Sequence, residues 1–582
     1  MYLLGVISSW LTLQGGNWDG LYEHLYLELF VDIYLICVLL ALIPSKVRWW
    51  VRGILYIILY ATAISDVFCF VRFESTLTPT MLMLVGETDG REASEFIHSY
   101  LSSDVIFSPV GCIFLIAIIH IFSNLPIHLG KYMSYRRKIF LKDRKERFEK
   151  ALTKVLPLFG LLTVILFIWG VCASWHNKQA TWKLMSGSTI GQVEHTLTET
   201  DHANLYLPIY RLAFSVRANY LASKQITKLV KAADNVKVDS CSFRSPNIIL
   251  IIGESYSRHH SQQYGYVMPT TPRQKALEEQ GSLTKFTDVI SPWNLTSFVF
   301  KYMFSMYVVG DKGDWCDYPL FPELFRKAGY HVTFITNQFL PKAKEAVYDF
   351  SGGFFLNNPK LSAAQFDKRN TELHQFDESL FTDYEHLKKY NTQHNLIIFH
   401  LIGQHVTYSK RFPLNRRKFF PNDYKKRKPN LNARELRILA DYDNAVLYND
   451  SIVTSIVKLF KNDNAIVIYV PDHGEECFEG NMHFYCRMHS VAIDSRLAHA
   501  EFDIPFWIWC SKKYISSNPN VFNEIKQARN KKFMTDALPH LLVYLAGMKT
   551  PEYRDECNLL SPKYNENRPR ILKGTTDYDK LK

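Results

Sequence analysis

The first 175 residues carry apolar runs long enough to cross a bilayer, and no other feature limits the fold of this chain as strongly. Such runs must satisfy their backbone hydrogen bonds internally, so the expectation is a multi-span α-helical membrane domain over residues 1–175. Four segments read as transmembrane helices, at 25–43, 53–70, 105–122 and 155–172. A shorter fifth, at 2–13, reads as an uncleaved helix, because no small-residue cleavage site follows it. Lys46, Arg48 and Arg52 make one link basic, and a second link holds Lys131, Arg136, Arg137, Lys138, Lys142, Arg144, Lys145 and Arg147. The stretch between, 72–103, carries Glu74, Glu87, Asp89, Glu92 and Glu95. The positive-inside rule puts both basic links in the cytoplasm, and five spans then leave everything after Trp175 outside. Glu28 and Asp32 lie one helical turn apart in the second span. They are either a functional intramembrane pair or two acids at the outer interface, where exposure to water keeps the cost small.

The remainder has a different pattern. Strand-like runs at 248–252, 331–336, 395–401, 465–470 and 504–509 alternate with helical stretches at 297–307, 322–328, 432–459 and 536–545. That alternation indicates an α/β domain over 246–582, with a mostly parallel sheet flanked by helices. Residues 176–245 read as a linker with a helix along the membrane surface, and the tail from 550 as polar and irregular. A charged content of 21% against 47% hydrophobic residues excludes a disordered chain. The net charge of +12 suits an anionic membrane surface; it would equally suit nucleic acid, but no nucleic-acid module is present and no such partner is expected. Six cysteines fall in the outward part, Cys241, Cys316, Cys477, Cys486, Cys510 and Cys557, with Cys477 and Cys486 the first candidates for a disulfide and free thiols the alternative.

Two of the buried-strand runs end in metal-ligand chemistry. Asn247-Ile-Ile-Leu-Ile-Ile-Gly253 is followed by Glu254 and Ser255, and Ala465-Ile-Val-Ile-Tyr-Val470 by Pro471, Asp472, His473, Gly474 and Glu475. Sites in open α/β sheets form at the C-terminal edge of the strands. Carboxylate oxygens and an imidazole nitrogen are ligands that zinc accepts. Two hydroxyls compete as nucleophile: Ser255, adjacent to Glu254, and Thr296, just before the helical run at 298–307. A hydroxyl at a helix N-terminus lies in the positive end of the dipole, where phosphate also binds. Asp-His-Gly alone is often only a turn; its pairing with Glu254 and Thr296 carries the metal reading. His259 and His260 read as surface residues, and Asn294-Leu-Thr296 as a chance glycosylation sequon. The basic run at 410–428, interleaved with Phe412, Phe419, Phe420 and Tyr424, reads either as a contact for anionic lipid or as a solvated loop.

Taken in order, Gly253-Glu254-Ser255, Tyr264-Gly-Tyr266 with Pro269-Thr-Thr-Pro272, Thr296 with Met303-Phe-Ser305, His400-Leu-Ile-Gly-Gln-His405, Tyr442-Asp-Asn444 and Asp472-His-Gly-Glu475 resemble the bacterial inner-membrane phosphoethanolamine transferases of the alkaline phosphatase/sulfatase superfamily. Glu87-Thr-Asp-Gly-Arg-Glu-Ala93 resembles that family's first large periplasmic loop. The resemblance implies a multi-pass protein of the bacterial inner membrane, acting as a monomer, with a periplasmic catalytic sulfatase-like domain. It implies that Glu254, Asp472, His473 and Thr296 bind one zinc ion, with a second ion possible. Thr296 is then the nucleophile, His405 and His483 (or His489) contact the transferred phosphate or a second zinc, and Asn337 and Lys342 (or Lys344) contact the headgroup. The donor implied is phosphatidylethanolamine, and the acceptor lipid A, lipopolysaccharide core or another envelope glycan. Where the lipid A members have a Cys-Gly-Thr approach and a Pro-Cys after the nucleophile, this chain has Pro292-Trp-Asn294 and Lys301-Tyr302, which removes their usual disulfide there and leaves the acceptor open. Two alternatives remain: a phosphoglycerol transferase on the same fold, using manganese, and a catalytically inactive membrane scaffold. A formylglycine sulfatase is disfavoured, because Thr270-Thr-Pro272-Arg273 supplies no Cys or Ser in the required place.

Overall fold

Apolar helices form where the sequence has its long apolar runs: α1 (Tyr2–Leu11), α2 (Leu25–Leu42), α3 (Ser45–Phe73), α4 (Pro109–Asn124) and α5 (Tyr135–Ser186). The structure is a computed structural model, and it describes the chain outside residues 14–20, 74–75, 80–81, 83–106, 125–134, 198–202, 341–353, 481, 488–492 and 582. Glu87 to Ala93 lies outside the described residues.

Among the described residues, three helical stretches are long and apolar enough to cross a membrane, Leu25–Leu42, Ser45–Val71 and Val155–Ser186, while α1 and α4 are shorter. The span expected at 105–122 therefore has a later start, at Pro109, a residue suited to the first turn of a helix. Leu39, Ile57, Ile119 and Leu162 stay exposed, as residues facing lipid tails would. Helix α5 continues without a break past the expected end at 172. Beyond it come α6 (Ile190–Leu197) and α7 (Pro208–Asp234) in place of a single surface helix. The chain parts into two units, Met1–Ala222 and Ser223–Lys582, so the division falls inside α7 rather than at 175 or 245.

Within the first unit, Glu28 is only 1% exposed. It accepts a hydrogen bond from Asn177 Nδ2 at 3.0 Å and pairs with Lys178 at 3.0 Å. Asp32 also pairs with Lys178 and accepts from Tyr206 and Tyr210, at 2.8 and 2.5 Å. The two acids thus face a partnered polar interior and not a solvated edge, as buried charges must.

The second unit is built on a seven-stranded sheet. Its strands are β1 (Asn247–Gly253), β2 (Leu283–Phe286), β3 (His331–Thr336), β4 (Lys368–Arg369), β5 (Asn395–His400), β6 (Ala465–Pro471) and β9 (Phe506–Cys510), with β7 (Glu476–Cys477) and β8 (Tyr485–Cys486) as a separate pair. The order is β2-β9-β6-β1-β5-β3-β4. The run from β6 to β4 is parallel, and β9 is antiparallel to both β6 and β2. The sheet is thus mixed, with the expected parallel centre. Ile248 to Ile252 are all fully buried, which is why β1 is an unbroken apolar run rather than an alternating one.

Four helices matter to the site and its surroundings: α8 (Thr296–Phe304), α9 (Phe321–Ala328), α10 (Ala433–Leu459) and α11 (Ser495–Glu501). Helix α10 opens on a capping box, Asn432 accepting from Glu435 N while Glu435 accepts from Asn432 N. Its apolar face, including Leu439, Tyr442, Val446 and Val453, packs with Ile249, Ile251 and Val467 of the sheet.

The ten cysteines are free. The expected pairing of Cys477 with Cys486 fails on register: Cys477 lies opposite Tyr485, and Cys486 opposite Glu476. Neighbouring positions of a pleated strand face opposite sides, so the two thiols diverge. His260 corrects a second expectation, being buried rather than on the surface, with Nδ1 2.7 Å from Asp443 Oδ1. Asp443 also accepts from Tyr266 and Tyr424, which gives the Tyr-Gly-Tyr and Tyr-Asp-Asn motifs a shared structural role. In the basic run, Phe412, Phe419 and Tyr424 are buried while Leu414 and Phe420 are exposed.

Candidate active site

The register of β1 against β6 sets Gly253 beside Pro471, so Glu254 and Asp472 leave adjacent strand ends together. The two loops are laced across: Asp472 N donates to Gly253 O at 3.1 Å, Tyr256 N to His473 O at 2.8 Å, and Ser255 N to Asp472 Oδ1 at 3.0 Å. Gly474 lets this loop lie against α11, since a Cβ there would stand 2.5 Å from Ala500 O.

Glu254, Asp472 and His473 are fully buried, and their ligand atoms lie within 4.8 Å of one another. His473 Nε2 is 3.1 Å from Asp472 Oδ2 and 3.6 Å from Glu254 Oε1. Thr296 heads helix α8; its Oγ1 donates to Glu254 Oε2 at 3.2 Å and is 3.3 Å from His473 Nε2. The structure therefore brings all four expected ligands together. Ser255 Oγ also lies against the cluster, donating to Glu254 Oε1 at 2.7 Å and accepting from Arg487 Nη1 at 2.9 Å.

Burial pushes the His473 imidazole down in pKa and Arg487 adds to this, but Asp472 and Glu254 together outweigh them and leave the ring above its ordinary value. Burial raises Asp472, and His473, Thr296 and Arg487 together more than reverse this. Among the described residues, the buried Asp472 Oδ2 accepts no hydrogen bond of good geometry, and its charged neighbour is His473 Nε2 at 3.1 Å. Two carboxylates, one imidazole nitrogen and one hydroxyl around a buried, unsatisfied oxygen are a donor set that fits a metal cofactor.

The other expected contacts divide. His405 lies near the cluster: burial lowers its pKa, Glu254 opposes the shift and Arg487 adds to it. Its Nδ1 donates to Val406 O at 2.7 Å. Asn337 is buried with both ends of its amide engaged, Nδ2 on Asp377 at 2.9 Å and Oδ1 accepting from His374 N at 2.7 Å. Asp377 in turn accepts from Ile402 N and Gly403 N, so Asn337 supports the loop beneath Glu254 and is not open to a headgroup. His483 is not brought to the site; it is 57% exposed and paired with Glu435 at 2.9 Å. Lys342, Lys344 and His489 lie outside the described residues.

Two residues at the site escaped sequence reasoning. Arg487 Nη1 is 2.8 Å from His473 Nε2, 2.9 Å from Ser255 Oγ and 3.4 Å from Glu254 Oε1. Gln338 Nε2 donates to Glu254 Oε2 at 3.0 Å and to Leu401 O at 2.7 Å. Gln338 follows the C-terminal end of β3, so the strand-edge argument that found Glu254 also points to it. Arg487 carries no such signal, because it follows a two-residue strand outside the main sheet.

The family described as Sulfatase matches residues 246–545, more than half of the chain. Phosphoethanolamine transferase EptC of Escherichia coli (strain K12) is 25% identical over 566 residues, covering 93% of this chain and 88% of that protein. Phosphoethanolamine transferase CptA of Salmonella typhimurium (strain LT2) is 25% identical over 561 residues, with the same coverage of 93% and 88%. The crystal structure of the C-terminal periplasmic domain of EcEptC from Escherichia coli, in complex with Zn, superposes with a TM-score of 0.51 at 27% identity, covering 60% of this chain and 96% of that one. With the matched residues spanning the whole central sheet and every ligand of the buried cluster, the chain belongs to the Sulfatase family.

Proposed function

We propose that the chain is a membrane-bound, zinc-dependent phosphoethanolamine transferase. It would take phosphoethanolamine from phosphatidylethanolamine and pass it to lipid A, lipopolysaccharide core or another envelope glycan, with its catalytic unit on the periplasmic side of the inner membrane. The observation that carries the reading is the convergence of Thr296 with Glu254, Asp472 and His473, in a chain alike over 93% of its length to a phosphoethanolamine transferase.

Glu254, Thr296, Asp472 and His473 would hold the ion. When bound, it supplies Lewis-acid polarisation of a phosphoryl oxygen and lowers the pKa of the threonine hydroxyl. Thr296 is oriented by its hydrogen bond to Glu254 and attacks the donor phosphorus through Oγ1. The Oγ1–P bond forms and the bond from phosphorus to the glycerol oxygen breaks; the hydroxyl proton passes to Glu254, and the glycerol oxygen takes a proton from water as diacylglycerol leaves. An acceptor oxygen then displaces Thr296 from phosphorus. Arg487 places a guanidinium beside the nucleophile's partners, where it can bind two phosphoryl oxygens in a fork. His405 donates Nδ1–H to Val406 O and is held neutral by burial, so its Nε2 is left as an acceptor that takes the proton of the incoming acceptor hydroxyl.

The test is intact-protein mass spectrometry of the full chain mixed with phosphatidylethanolamine and no acceptor. A phosphoethanolamine adduct on Thr296, absent from Thr296→Ala, is the expected result. An adduct that persists in Thr296→Ala and disappears in Ser255→Ala would overturn the assignment.

A further inference from the structure

We propose that His259, His499 and Asp503 form a second divalent-metal site, apart from the Glu254–Asp472–His473 cluster, and that it takes Zn2+. Their ligand atoms lie within 4.8 Å of one another. His259 Nε2 and His499 Nδ1 are each 3.1 Å from Asp503 Oδ2. Ligands at zinc distances around a tetrahedron stand about 3.3–3.4 Å apart, so small ring rotations complete the geometry.

Hydrogen bonding alone satisfies this arrangement poorly. Arg258 Nη2 donates to the same Asp503 Oδ2 at 2.6 Å, so three groups crowd one oxygen that has two lone pairs. A cation between the rings and the carboxylate replaces two of those contacts with one. Asp503 is fully buried and held on its other side by Tyr578, whose hydroxyl donates to Oδ1 at 2.5 Å. Arg258 and Tyr578 then stand as the outer contacts that orient a metal-bound carboxylate. The two imidazoles are 40% and 54% exposed, which leaves the fourth position to water and the entry open. A cavity of about 440 Å³, lined in part by Arg258, His499 and Tyr578, opens beside it.

The placement gives the site a purpose. His259 is on the loop that leaves β1 through Glu254, and His499 and Asp503 flank the Ala500–Glu501 carbonyls that accept from Gly474 N and Glu475 N. One ion would join the two loops that carry the catalytic cluster. This inference stands on geometry outside that cluster and does not rest on the proposed function.

The experiment uses the full chain in detergent, stripped by chelation, reloaded with Zn2+, desalted and counted by elemental mass spectrometry. We expect two Zn2+ per chain in the wild type, one in His259→Ala and His499→Ala, one in Asp472→Asn, and none in Asp472→Asn/His499→Ala. Zn2+ should raise the Tm of Asp472→Asn and leave that of the double variant unmoved, with circular dichroism reporting that each variant is folded. One Zn2+ in the wild type with none in Asp472→Asn overturns the inference, as does His499→Ala binding as much as the wild type. One Zn2+ in both the wild type and Asp472→Asn, with none in His499→Ala, supports this site and counts instead against a metal at the catalytic cluster.

Discussion

Arg487 shares His473 Nε2 with Thr296, at 2.8 and 3.3 Å, so one imidazole nitrogen links the proposed nucleophile to a cation that the motifs do not contain. Replacing Arg487 with Ala should lower kcat/KM by about 10²-fold, in line with loss of a positioned charge donor. Arg487→Lys should recover only part of this, because an ammonium is a point charge without the planar fork. Steady-state transfer from a fluorescent phosphatidylethanolamine measures both. At the same scale, His483→Ala should leave the rate within about twofold of wild type, since that ring is paired with Glu435 on the surface. Glu254, Thr296, Asp472 and His473 were legible in the sequence because each lies at the end of a strand or the start of a helix, where local pattern locates the side chain. His483 and Arg487 lie in a loop with short β7 and β8 strands, and nothing local in such a loop tells which side chain turns inward.

Elements were readable where burial is two-sided. Strands β1 and β6 are unbroken apolar runs because both faces are covered, and the C-terminal turn of each could be located to the residue. Strand direction is not written in periodicity, which is why the antiparallel setting of β9 needed the structure. Helix α9 carries an element-level prediction. Its third residue, Glu323, accepts from Leu320 N at 2.9 Å, yet Glu323 Oε1 is buried without a hydrogen-bond partner among the described residues. Burial pushes its pKa up to about 8. A raised folded value means the native state binds the proton more tightly, so this contribution is present below about pH 4.5 and is lost as pH rises to about 8. Glu323→Gln keeps the capping acceptor and removes the charge. Its Tm should approach that of wild type near pH 4 and exceed it above pH 8, by an amount corresponding to a few kcal/mol. A thermal melt series across that range measures it.

For the whole molecule, the proposed function would give the apolar helices and the buried Glu254–Asp472–His473 cluster one requirement: a donor with two acyl chains and a site for phosphoryl transfer. Chelation of the full chain should abolish transfer, and Zn2+ should restore it, as measured by labelled headgroup appearing in acceptor lipid. Residues 223–582 expressed alone should react with a water-soluble headgroup phosphodiester as the full chain does. On vesicles they should be slower by about 10²-fold or more, because the tether's effective concentration is gone. Hydropathy separated an apolar first part from the rest, but the division inside α7 was not readable, since that helix has no break in its pattern at residue 222.

Helix α5 runs for 52 residues, about 78 Å at the usual rise, against a hydrocarbon layer of about 30 Å. It therefore behaves as a keyed shaft whose angular setting is transmitted along its length. Asn177 and Lys178 meet Glu28 and Asp32 only at one rotation of that shaft. Deleting one residue between 160 and 170 would turn the far end by about 100° and strand two acids in an apolar interior, whereas deleting seven would return the same face about 10 Å lower. The phase of this helix, more than its length, is what the membrane unit has to preserve.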